Sequence, residues 1–273
     1  MSTWFITGAS SGLGRALAQH AAAAGHQVVA TARDTSALAD LAAGYPDHVV
    51  VLPLDVTDPD SRQTAIAAAE NRFGGIDVLV NNAGYGYTAA VEEGEDAAVE
   101  RLFATNFFGP AALIRAALPG MRRRTSGTIV NISSIGARFP IPGGGWYSAA
   151  KAALEGLSGA LRKEVEPLGL SVVVVEPGSF RTDFRGRSAE RSSTTIDAYD
   201  AILGRTGGSG LSPQRGEPAK AAAAIVEAVD SAKRPRLFVL GTDALAGFQQ
   251  AAAADADDVA AFEHFTRSTD ATS

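Results

Sequence analysis

Short runs of β-branched and apolar residues alternate along this chain with longer alanine-rich stretches. WFIT (4–7), HQVVAT (26–31), HVVVLPL (48–54), IDVLVNN (76–82), GTIVNIS (127–133), LSVVVVEP (170–177) and RLFVL (236–240) are almost continuously apolar. Strands covered by helices on both faces read this way, whereas a strand with one face in water alternates apolar with polar. Between them lie segments such as LGRALAQHAAAAG (13–25) and SRQTAIAAAENRFGG (61–75), rich in helix formers and closed by glycine. The alternation predicts right-handed βα units and one parallel sheet, an α/β fold.

No linker or shift in composition divides the chain, so residues 1–273 are expected to form a single domain. The alanine runs at 21–24, 221–224 and 251–254 read as helix packing and helix surface. Arg122, Arg123 and Arg124 read as a solvated helix C-terminus that complements the helix dipole. The stretch from about 181 to 218 is polar, rich in Gly, Ser and Arg, and long for a connection; a substrate lid is expected there. Residues from about 242 to 273 read as a C-terminal extension of one or two helices.

A net charge of −6 provides no basic face for nucleic acid. The chain has no cysteine, which excludes disulfides and thiolate chemistry, and its four histidines fall in no ligand-like spacing, so no metal is expected. No apolar run approaches the ~18 residues of a membrane helix. The opening MSTWFITGAS runs at once into a strand, with no room for a leader, so a soluble, cytoplasmic protein is expected.

Chemistry is concentrated in a few places. The first strand leads into TGASSGLGRALA, where Gly8, Gly12 and Gly14 enclose Ser10, Ser11 and Leu13. The spacing is not GxGxxG, but the physics is shared: glycine permits a tight turn and close approach to a pyrophosphate, and the following helix N-terminus favours anions. After the second strand, Ala32 stands where an acidic reader of a ribose 2′-hydroxyl belongs, and Arg33 follows. A guanidinium there suits a 2′-phosphate, with Asp34 as its alternative partner. Further on, GGGWYSAAK (143–151) places one of five tyrosines, Tyr147, four residues before one of four lysines, Lys151, on one helix face.

Taken in order, TGASSGLG (7–14), DVT (55–57), NNAG (81–84), Asn106, NISS (131–134), YSAAK (147–151) and PGSFRT (177–182) resemble the short-chain dehydrogenases/reductases of single-domain type. The resemblance covers about residues 3–240 and lies nearest the NADP-preferring reductases grouped with hydroxysteroid and retinol dehydrogenases. It implies a Rossmann-type doubly wound parallel sheet of about seven strands, and an NADPH-dependent reductase of ketones or aldehydes, reversible towards secondary alcohols. Tyr147 would be the general acid or base, and Lys151 would favour its phenolate and hold the nicotinamide ribose. Ser134 would hold the substrate oxygen, with Ser133 as the lesser candidate, and Asn106 would order a water behind Lys151.

For the cofactor, NADPH or NADP⁺ in preference to NADH, the glycine-rich residues and Arg33 would be joined by others. Asp55 would meet the adenine amino group with Val56 alongside, and Asn82, Ala83 and Gly84 would line the adenosine side and support the sheet. Pro177, Gly178 and Thr182 would contact the nicotinamide. Phe139, Trp146, Phe180 and Phe184 are expected to make an apolar pocket, Trp146 packing either there or at an interface. Arg181, Arg185, Arg187 and Arg191 read as a solvated loop. The resemblance also implies a homodimer or homotetramer joined by helices at about 95–118 and 147–167. A second reading is a redox sensor that binds NADP(H) without turnover. The set of Asn106, Ser134, Tyr147 and Lys151 favours the enzyme, and the short C-terminal region disfavours a sugar-nucleotide epimerase.

Overall fold

All seven apolar runs form strands. The computed structural model describes every residue except 183, 185, 187, 188, 206–213, 272 and 273. Among the described residues the strands are β1 (Thr3–Ile6), β2 (Gln27–Ala32), β3 (Val49–Pro53), β4 (Val78–Asn81), β5 (Gly86–Thr88), β6 (Gly127–Ile132), β7 (Leu170–Pro177), β8 (Ala189–Arg191) and β9 (Leu237–Leu240). The helices are α1 (Gly12–Ala23), α2 (Ala39–Gly44), α3 (Pro59–Phe73), α4 (Asp96–Phe103), α5 (Gly109–Arg124), α6 (Gly145–Val165), α7 (Pro218–Asp230), α8 (Thr242–Ala261) and α9 (Glu263–Ser268). Seven strands pair in parallel in the order β3-β2-β1-β4-β6-β7-β9. This is the doubly wound, Rossmann-like sheet, and its winding reverses between β1 and β4.

The faces follow from the two-residue period of a strand. Trp4 and Ile6 turn to one side, where α1 and α7 cover them with Leu17, Ala21, Ala222 and Ile225. Phe5 turns to the other, with Val29, Leu79 and Ile129, beneath α3, α5 and α6. Small alanines on α1 and α7 let those helices pack closely, which accounts for the alanine-rich segments.

A buried polar chain fastens α6 to the sheet. Asn81 Nδ2 donates to Asn131 Oδ1 (2.8 Å), Asn131 Nδ2 donates to Ser158 Oγ (2.8 Å), and Ser158 Oγ donates to the Leu154 carbonyl (2.6 Å). Asn131 and Ser158 have no solvent exposure, so each bond is made where water offers no replacement.

Two features differ from the sequence reading. β5 and β8 pair in parallel as a separate two-stranded ribbon, and three residues are too few for a periodic signal. Arg122 and Arg123 are exposed, but Arg124 turns back to donate to the Ile76 carbonyl (2.6 Å). In the 181–218 stretch, residues 183, 185, 187, 188 and 206–213 lie outside the described residues, so Arg185 and Arg187 do too. The C-terminal extension forms α8 and α9, with Ala244 and Gly247 buried and residues 252–271 exposed. No helix among the described residues is long and apolar enough to cross a membrane.

Replacing Asn131 by Ala strands the side chains of Asn81 and Ser158. Urea unfolding is expected to show a loss of about 1–3 kcal/mol; an unchanged midpoint would mean that the chain is not needed to hold α6.

Candidate active site

The crevice opens at the carboxyl ends of β1 and β4, where the winding reverses and where open α/β sheets bind ligands. Thr7 Oγ1 donates to the Val80 carbonyl (3.2 Å) and accepts from the amides of Asn82 and Ala83 (both 2.9 Å). Asn82 Nδ2 donates to the carbonyls of Thr7 (2.9 Å) and Gly8 (3.1 Å), so this side chain holds the glycine-rich loop in place. The fit leaves no room for side chains: a Cβ on Gly14 would lie 2.3 Å from Asn82 Nδ2 and 2.4 Å from the Gly8 carbonyl oxygen. Gly8 also adopts a φ of 66°, with Ala83 Cα 2.9 Å from where its Cβ would be.

Ser11 caps α1 without a side-chain hydrogen bond, and Arg15 is the first residue to make a bond to the cap, donating to the Ser11 carbonyl (3.1 Å). The amides of Gly12, Leu13 and Gly14 precede it, a helix N-terminus suited to an anion. Ser10 is exposed beside them. Across the crevice the Thr182 side chain comes within 3.4 Å of where a Gly12 Cβ would stand. Gly178 is equally confined, with Asp243 Oδ1 2.3 Å from its absent Cβ, and it follows Pro177 at the end of β7.

Arg33 is exposed directly after β2. Asp34 accepts instead from the Ser36 amide (2.9 Å). Burial pushes the Asp55 carboxyl up, but hydrogen bonds from Thr57 and the positive charges of Arg33 and Arg62 outweigh it and hold the group below its ordinary value. The Val56 side chain is buried in the core and its carbonyl accepts from Arg62 (2.7 Å).

Tyr147, Lys151 and Ser134 come together on the same side of the crevice. Lys151 is buried, donates from Nζ to the Ile132 carbonyl (2.8 Å), and lies 5.8 Å from the centre of the Tyr147 ring. Gly84 separates it from Asn106: a Cβ there would be 2.9 Å from Asn106 Oδ1 and 3.5 Å from Lys151 Nζ. Asn106 sits in a π-helical turn, Ala104–Phe108, of the kind that often marks functional sites. Its side-chain amide accepts from the Tyr85 amide (3.1 Å) and donates to the Tyr85 carbonyl (2.8 Å).

The two candidate serines part company. Ser133 Oγ donates to Glu155 Oε1 (2.6 Å), whereas the Ser134 hydroxyl acts on the Tyr147 phenol.

Burial governs the charges. It pushes the Tyr147 phenol up to about 12, against the Ser134 hydroxyl, and brings Lys151 down to about 8, against the nearby charge of Glu155. Desolvation is the largest influence on both groups, and it favours the neutral phenol and the neutral amine.

Several aromatic expectations also change. Phe184 meets Tyr147 edge-on at 5.7 Å, but Phe180 packs on the core beside Gly216 and Phe139 packs against Gly247 of α8. Trp146 lies against Gly94 in a small cluster with Tyr87 and Leu102, which places it in a wall of the fold. Sequence reasoning missed Glu155, which takes Ser133 and, with buried Glu176, shares Arg138 (3.1 and 2.5 Å). Burial raises its carboxyl to about 7. The only available signal was its place one helical turn beyond Lys151.

The chain as a whole is similar to known proteins. A family model for short chain dehydrogenases matches residues 2–193. The chain is 36% identical over 249 residues to the oxidoreductase BOA17 of Botryotinia fuckeliana, covering 89% of each. A short-chain dehydrogenase structure from Streptomyces avermitilis superposes with a TM-score of 0.93 at 45% identity, covering 99% of this chain and 100% of that one. Another, from Burkholderia cenocepacia in complex with NADP, gives 0.75 at 26% identity, covering 95% and 96%. With its reversed winding, its glycine-rich loop and its Tyr147–Lys151 helix, this chain belongs to the short-chain dehydrogenase/reductase family of oxidoreductases.

Proposed function

We propose that the protein reduces ketone or aldehyde carbonyls with NADPH and, in reverse, oxidises secondary alcohols. One observation carries the reading: the Tyr147 phenol stands with the Ser134 hydroxyl and the Lys151 ammonium, and only Gly84 lies between Lys151 and the strand end that holds the glycine-rich loop. The bound dinucleotide supplies the hydride. Tyr147 and Ser134 donate hydrogen bonds to the carbonyl oxygen, and Tyr147 gives up its proton as the new C–H bond forms. Lys151 stabilises the phenolate left behind, which regains a proton from solvent. Asn106 keeps the main chain of Tyr85 in place beside Lys151.

The adenosine end would rest on Asp55, Asn82, Ala83 and Gly84, and the pyrophosphate on residues 8–14. Gly178 and Thr182 would flank the nicotinamide. NADPH over NADH is supported by Arg33, whose charge is felt at Asp55 and Tyr85, by the Asp34 carboxylate being engaged with Ser36, and by the NADP bound in the Burkholderia relative. Phe184 at the phenol supports an apolar substrate. Self-association is supported by a groove along α5 and α6 that includes Leu118, Leu157 and Phe108, the last 61% exposed.

A panel of acetophenone, cyclohexanone, benzaldehyde and octanal is expected to consume NADPH faster than NADH. Tyr147→Phe is expected to cut the rate by about 10²–10⁴-fold with NADPH affinity unchanged; equal rates in both proteins would remove the general acid. Arg33→Ser is expected to raise KM for NADPH by about 10–100-fold and leave that for NADH nearly unmoved. A parallel rise for both cofactors would count against 2′-phosphate recognition.

The pH dependence has a definite sign. Burial favours the neutral amine of Lys151, so its charge is lost as pH rises through about 8, while Tyr147, at about 12, stays protonated. The kcat/KM for NADPH in carbonyl reduction, which reports the free enzyme, is expected to be level below pH 8 and to decline above it. A profile level to pH 10 would contradict that assignment.

A further inference from the structure

Glu93 takes no part in the chemistry above, yet its side chain has no solvent exposure. Four donors converge on it. Oε2 accepts from the Ala90 amide (3.0 Å) and Arg205 Nη1 (3.1 Å), and Oε1 accepts from the Ile196 amide (2.8 Å) and Arg205 Nη2 (2.6 Å). A forked pair of this kind fixes direction as well as distance. Arg205 is itself oriented by Asp200, to which Nε donates at 2.6 Å.

The surrounding contacts run the same way. Ser192 Oγ donates to the Glu93 carbonyl (2.6 Å), Tyr199 donates to Glu92 (2.7 Å), and Ser193 donates from its amide to Glu95 (3.2 Å). β5 and β8 pair from Gly86↔Ala189 to Thr88↔Arg191. Among the described residues most of the hydrogen bonds that hold residues 189–205 go to residues 86–95, with Arg101 pairing to Glu190 (4.0 Å) outside that loop, and Glu93 is the buried charge at the centre. A buried ion pair seldom adds stability over apolar packing, so its contribution here is a single geometry.

That geometry reaches the catalytic helix from two sides. Leu203 Cδ2 is 2.9 Å from where a Cβ of Gly143 would stand, and Gly143, at a φ of 78°, opens the turn into α6. Gly94, next to Glu93, receives the Trp146 indole, whose Nε1 would be 2.2 Å from a Cβ there. Trp146 precedes Tyr147.

We infer that Glu93 is a positioning residue for the carbonyl substrate: it latches residues 189–205 to the 86–95 loop and thereby sets the wall that Leu203 forms at Gly143, beside Tyr147. The inference rests on the reductase reading for its substrate, while the latch itself does not.

The test uses full-length Glu93→Gln, Arg205→Met and Arg205→Lys, with two readouts. Thermolysin, which cuts before apolar residues, reports release of the segment at Ile202 and Leu203 without any turnover. Both charge-removing variants are expected to be cut at least about tenfold faster, with Arg205→Lys intermediate and the double variant no worse than the poorer single. With acetophenone or octanal from the panel, KM is expected to rise about tenfold or more while the dissociation constant of NADPH holds within about twofold. Unchanged thermolysin cleavage overturns the latch. Faster cleavage with an unmoved KM overturns the positioning role, and so does a matching loss of NADPH affinity, which marks a general structural part. If the wild type turns over no member of the panel, the reductase reading is what has failed, and cleavage alone still decides the latch.

Discussion

The crevice is built around the hydroxyl of Thr7. It donates to Val80 and accepts from the amides of Asn82 and Ala83, so the ends of β1 and β4 are tied at the point where the winding reverses. That tie brings Ala83 against Gly8 and Asn82 against Gly14, at separations that only glycine tolerates. The loop can then turn its first helical amides outward as an anion site. Gly84, next along the chain, meets both Asn106 and Lys151, so the glycine-rich loop and α6 are tied to one strand end.

Burial is the second organising force. On the crevice side it keeps Tyr147 protonated and makes the Lys151 charge conditional. One helical turn further along α6 it gathers Ser133, Glu155, Glu176 and Arg138 into a charged group whose Glu155 acts on Lys151 electrostatically. Adjacent serines thus serve different partners on α6, Ser134 the Tyr147 phenol and Ser133 the Glu155 carboxylate. Arg138 also lies over the Phe248 ring of α8 (5.5 Å), which connects the C-terminal extension to the same group.

Aromatic residues show how little their presence near a motif says about their use. Phe139, Phe180 and Trp146 all neighbour the site in the chain, yet one packs on α8, one on the core and one on Gly94. Phe184 alone of the four meets the phenol. The docking of residues 189–205 is largely polar, through Glu93 and its neighbours.

The seven sheet strands, their parallel arrangement and the glycine-rich turn were legible in the sequence because each is local: a doubly buried strand must be continuously apolar, and a tight turn must use glycine. The spacing from Tyr147 to Lys151 was legible for the same reason, since one helical turn places them on one face. The sequence preferred Ser134 to Ser133 only by resemblance, and it could not pair Ser133 with Glu155, send the Val56 side chain into the core, or commit the Asn106 side chain to Tyr85. Nor could it join Glu93 to Arg205, which are 112 residues apart. Those outcomes depend on which groups lose water together, and only the folded chain decides that, because desolvation and pairing are properties of a neighbourhood and not of a residue type.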